Sequence, residues 1–129
     1  MKQILLAIAL IAAPFAAFTG FQVYAQRASA TSAGLGDLSP FKTIIADVQA
    51  LAVQGDLAGA ARRITDYESA WDQGQTAIRP LNPVLWGNID DASDAALKAL
   101  REPTPSADKV NESLAALMAV LDDPAKPAS

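Results

Sequence analysis

Four stretches of the chain repeat apolar residues at spacings of three and four, the pattern of a helix that buries one stripe. The first runs through Phe41, Ile44, Ile45, Val48, Leu51 and Ala52. The second carries Leu57, Ala60, Ala61, Ile64, Tyr67 and Trp71 and reaches toward Ile78. The third holds Leu85, Ile89, Ala92, Ala96 and Leu100, with Trp86 and Leu97 alongside. The fourth holds Val110, Leu114, Leu117, Met118 and Leu121. None of the four shows the period-two alternation of a half-buried strand.

Punctuation between the stripes agrees with four helices. Ser39-Pro40 and Asn82-Pro83 each put a capping side chain before a proline, whose missing N–H costs nothing in a first turn. Gly55 closes the first helix, and Asp56 is placed to cap the second. Gly74 weakens the last turns of the second helix, and Arg79-Pro80 ends it, because a residue before proline is pushed out of the α region. Glu102-Pro103 stops the third, and the fourth begins near residues 104–106. Such short connections make sequential helices antiparallel. The expected fold is all-α: a four-helix up-down bundle, or two packed helical hairpins, over residues 39–123.

The flanks read differently. Lys2 followed by an apolar run over residues 4–18, broken only by Pro14, resembles a signal peptide. Small-residue patterns place cleavage after Ala25, with an alternative after Ala30. The rival is an uncleaved anchor, but the apolar run falls short of the roughly 20 residues that span a bilayer. Residues 26–38 are expected to form a flexible leader, and residues 124–129, with two prolines, a disordered tail. The expected location is the periplasm or the exterior.

Composition narrows the chemistry. The chain has no cysteine and no histidine. Lipidation at a cysteine, disulfides, the usual zinc and haem ligand sets, His-based triads and thiol nucleophiles are all excluded. The formal charge of the whole chain is −4, and loss of residues 1–25 removes Lys2 and no acid, leaving −5. That balance disfavours nucleic acid and anionic lipid as partners. No cofactor is expected, and no membrane contact after cleavage.

Three groups of residues remain as candidates for chemistry. Carboxylates cluster at Asp66, Glu68 and Asp72 in the second helix and at Asp90, Asp91 and Asp94 in the third. If opposed, they offer an oxygen-only cation site, but no glycine-containing calcium loop accompanies them, so a solvated face is the simpler reading. Arg62-Arg63 offers an anion or partner contact; more often such a pair is one stem lying on the core edge and one solvated head. Arg63 also stands four residues before Tyr67, where it can stack. The third group is the stretch WDQGQTAIRPLNPVLWGNID, with Trp71 and Trp86 fifteen residues apart around a proline-defined turn. In antiparallel helices the two rings meet at one end of the bundle. They then act either as a core plug or as an aromatic ligand clamp with Arg79 and Asp72 or Asp90 as polar handles. The plug is the favoured reading.

The runs GLGDLSPFKTIIADVQALAVQGDLAGAARRITDYESAWD and LWGNIDDASDAALKALREPTPSADKVNESLAALMAVLDD resemble a group of small exported helical proteins of proteobacteria. The landmarks are Gly55-Asp56, Tyr67-Glu68, Trp71-Asp72, residues 86–90 and the Ala-Leu-rich third helix. The resemblance implies the same all-helical fold and no established activity. A histidine-kinase label on such a protein finds no phosphoacceptor here. Together these features point to an exported, non-enzymatic module that binds another envelope protein. The alternative is a carrier of a small ligand or cation, using Trp71, Trp86 and the aspartate clusters.

Overall fold

The computed structural model describes residues 34–126, and the expected signal peptide with its cleavage sites lies outside them. Four α-helices follow one another: α1 (Ser39–Val53), α2 (Leu57–Ile78), α3 (Pro83–Leu100) and α4 (Ala107–Asp122). A single 3₁₀ turn, Arg79–Leu81, joins α2 to α3. There is no strand among the described residues. Helix α1 packs against α2 and α4, and α3 against α4, while α2 and α3 meet along a sparser seam. The four helices thus close into an up-down ring.

Local chemistry explains the boundaries. At the end of α1 the Asp56 N–H donates to Leu51 O and the Gly55 N–H to Ala52 O, both at 3.0 Å. This pair of bonds is a Schellman ending, and it requires the left-handed backbone that Gly55 adopts, with φ at 85°. Asp56 then starts α2 at once, its Oδ1 accepting from the Gly59 N–H at 2.9 Å. A Cβ at Gly59 would run into that same carboxyl group, so glycine clears room for the cap. Asn82 caps α3 through Leu85 N at 3.2 Å, and Ser106 caps α4.

Three expectations at the ends are corrected. The N-cap of α1 is Leu38, not Ser39; Ser39 is already helical, and its N–H donates to Asp37 Oδ1 at 2.9 Å. The leader is not free up to residue 38, because Leu35 and Leu38 lie in the core. These two leucines, three apart, extend the core, so the packed unit begins before α1. The tail is not free from residue 124 either: Pro124 is buried, and its carbonyl accepts from Asn88 Nδ2 at 2.9 Å.

The core is the union of the four stripes, with Ile45, Val48, Ile64, Ile89, Val110, Leu114, Leu117 and Leu121 fully enclosed. The sequence reading missed Val120, which is as deeply buried. One polar residue, Ser93, joins this core.

Candidate functional site

The α2–α3 seam is built from aromatic rings. Tyr67 and Trp71 project from successive turns of α2, and Trp86 rises from the first turn of α3 to meet them. Tyr67 and Trp71 lie nearly parallel with centroids 6.3 Å apart, and Trp71 and Trp86 likewise at 6.2 Å. Phe41 of α1 closes the column edge-on, 5.2 Å from Trp71 and 6.2 Å from Tyr67. Such offset and edge-to-face arrangements suit the ring quadrupoles. Gly74 permits the approach of α1: a Cβ there would stand 3.2 Å from Phe41 Cζ.

Polar groups fasten the seam. Trp71 Nε1 donates to Asp90 Oδ1 at 3.1 Å. The Tyr67 hydroxyl and Ser93 Oγ share a buried hydrogen bond of 2.6 Å, and Ser93 Oγ also lies 2.7 Å from Ile89 O. The carbonyl can only accept, so the serine donates to it and the tyrosine donates to the serine. Burial holds the Tyr67 phenol protonated to well above its ordinary range; the Ser93 bond opposes the shift and the Asp90 charge adds to it. Outside, Arg101 grips Glu68 through two hydrogen bonds of 3.1 and 2.9 Å. That contact lowers the Glu68 carboxyl below its usual range.

The column leaves no room for a clamp around Trp71, which is only 3% exposed. Trp86 is half-buried, and the Arg79 guanidinium covers it at 4.9 Å from the ring centre. Its Nε1–H is buried without an acceptor. Asp90 therefore serves Trp71 as an internal acceptor, Arg79 lies over Trp86, and Asp72 is exposed. The two tryptophans are a filled seam at one end of the bundle.

The two arginines differ in their surroundings. Arg62 is exposed, while Arg63 bridges to Asp47 of α1 at 2.9 Å and to Asp66 at 3.0 Å. The possible stacking of Arg63 on Tyr67 is replaced by these carboxylates; the cation–π contact belongs to Arg79 and Trp86. Among the described residues, no three acids converge in a way that could hold a metal ion. The acids still share one field. The Asp94 carboxyl is raised above its usual range by partial burial, then by Asp90, Asp91, Glu68 and Asp72.

Among the described residues a surface opening lies elsewhere, between α3 and α4, where a groove of about 600 Å³ runs along the outside of the pair. Ala92, Ala95, Ala99 and Ala116 line it, with Asp91, Lys98, Glu102, Lys109 and Glu112 also on its walls. Sequence reading did not find this groove. Ala95 and Ala99 were visible as small residues beside the α3 stripe, but which neighbour they face is set only by the packing. Among the described residues no helix is long and apolar enough to cross a membrane. Comparison with family models, with curated proteins and with solved structures yields no match to this chain.

Proposed function

We propose that this protein is an exported, non-enzymatic interaction module of the cell envelope, periplasmic or secreted, and that it meets its partner along the α3–α4 groove. The observation that carries the reading is the contrast between the two sides of α3. Its inner side is closed by the aromatic seam, where Trp71 is almost fully enclosed. Its outer side presents an open groove with alanines between charged residues. Alanine lets a partner helix approach closely, at the short end of the 8–10 Å range for packed helices. Charges around it select register more than they add affinity.

Export rests on the apolar segment over residues 4–18 and the small-residue patterns after it, and the resemblance to small exported helical proteins of proteobacteria points the same way. The absence of both histidine and cysteine from the chain supports a non-catalytic role. A carrier of small ligands is disfavoured because the aromatic seam already fills itself with its own rings.

The test is site-specific photocrosslinking in intact cells, with the reactive side chain at Ala99 in the groove and at Thr65 on the exposed face of α2. Adducts with a defined polypeptide at Ala99 and none at Thr65 support the reading. Absence of any adduct at Ala99 overturns it.

A further inference from the structure

Among the described residues, the ion pairs distribute unevenly around the ring. Arg63–Asp47 ties α2 to α1, Lys42–Asp122 ties α1 to α4, and Arg101–Glu68 ties α3 to α2. The remaining pair, Arg63–Asp66, lies within α2. None joins α3 to α4. Asp91, Lys98, Glu102, Lys109 and Glu112 line the groove with both signs of charge, and none of them is in an ion pair. This side of the molecule carries its charges unspent.

The order of those charges along α3 matters. Asp91, Ala95, Lys98 and Glu102 are all exposed and fall at helical spacing, so they form one outward stripe. Asp91 and Lys98 have opposite sign and lie about 10 Å apart along the axis, at 1.5 Å per residue. Ala95 sits between them. A stripe of the form acid, alanine, base is complementary to its own reverse.

We propose that the partner of this face is a second copy of the chain, docked through α3 in antiparallel orientation about a twofold axis beside Ala95. The inference rests on the reading of the α3–α4 side as the interaction face, and it names the occupant. A twofold contact repeats every pair twice. Crossing at residues 94–95, Asp91 of each copy opposes Lys98 of the other, and the two Ala95 methyl groups straddle the axis. Glu102 then opposes Gly87 and Asn88, while the exposed Asp94 of each copy stands beside the axis, so two attractive pairs flank one repulsive contact. Ala95 and Ala99 allow the close approach that short-range pairing needs. A lipid surface does not fit, because an acidic chain of alternating rim charge is not drawn to anionic headgroups.

The experiment is sedimentation velocity on the protein purified from cells that export it, for wild type and the charge reversals Asp91→Lys and Lys98→Asp. Both positions are solvent-exposed, and circular dichroism is to check that each variant keeps its helices. Wild type is expected to dimerise, and each reversal alone to weaken the dimer by roughly a hundredfold or more, since two attractive pairs become repulsive. Mixing the two variants restores dimers, because in the mixed pair the introduced lysine faces the introduced aspartate and the native Lys98 of one copy faces the native Asp91 of the other. A wild type that stays monomeric to about 100 µM overturns the proposal, as does a dimer indifferent to both reversals. If wild type is monomeric while Ala99 crosslinks to a different polypeptide, this inference fails and the interaction reading stands. If Ala99 crosslinks to nothing, both fail.

Discussion

Replacement of Trp71 by alanine is the sharpest perturbation of the seam. The ring is 3% exposed and touches Phe41, Tyr67 and Trp86, so essentially all of its surface is lost from contact. A buried tryptophan removes on the order of 150–250 Å² from water, and at about 25 cal/mol per Å² that is worth roughly 4–6 kcal/mol. A compact unfolded chain already buries part of this area, which brings the figure to about 3–5 kcal/mol, the usual cost of truncating a core aromatic. The Asp90 carboxylate left behind is only half-buried and can bind water, so it adds little. In a domain of this size the midpoint of thermal unfolding should fall by at least about 12 °C, at 4 °C or more per kcal/mol. Far-UV circular dichroism during urea denaturation measures the loss directly. A change below about 1 kcal/mol, the range of surface substitutions, would mean that Trp71 is free in solution and the seam opens.

The same geometry sets further outcomes. Trp86→Phe should cost less than Trp71→Phe in denaturant titrations, because Trp86 Nε1–H has no acceptor to lose whereas Trp71 loses its bond to Asp90. Stability should fall as pH rises above about 10: the unfolded phenol then releases its proton while Tyr67 keeps its own, a slope of about 1.4 kcal/mol per pH unit. Tyr67→Phe should abolish that part of the alkaline slope while costing about 1 kcal/mol near neutrality, and an unchanged slope would refute the assignment. Gly59→Ala should fail to stabilise α2 despite alanine's better propensity, since its methyl displaces the Asp56 cap; a gain near 1 kcal/mol by urea titration would contradict this. Asp94→Asn should raise the midpoint, because it removes a partly desolvated carboxylate and its repulsion from Asp90, Asp91, Glu68 and Asp72, and the gain should shrink in high salt as the repulsive part is screened.

Elements set by local chemistry are legible in the sequence itself. Asn82-Pro83 and Asp56 cap the helices assigned to them, and the apolar stripes became the core. What escaped depends on long-range packing. Ser39 looked like a cap, but Leu38 takes that place, its side chain fully buried in the core. Pro124 looked like the start of a free tail, yet Asn88, 36 residues earlier, holds its carbonyl. Ser93 had a signal that could have been read: it falls on the buried stripe of α3, where a polar residue needs a partner, and Tyr67 carries a hydroxyl with the same need. The groove had none, because alanine on an outer helix face is unremarkable until a neighbouring helix turns it into a floor.

Native mass spectrometry of the protein taken directly from the cells that make it tests the central claim, that the molecule works through its outer α3–α4 face and not through a ligand held at the tryptophans. The account predicts masses of the polypeptide alone, doubled where the α3 faces pair, with no small molecule or metal ion attached. A co-purified ligand or cation at fixed stoichiometry, lost on Trp71→Phe or on Asp90→Asn, would contradict it.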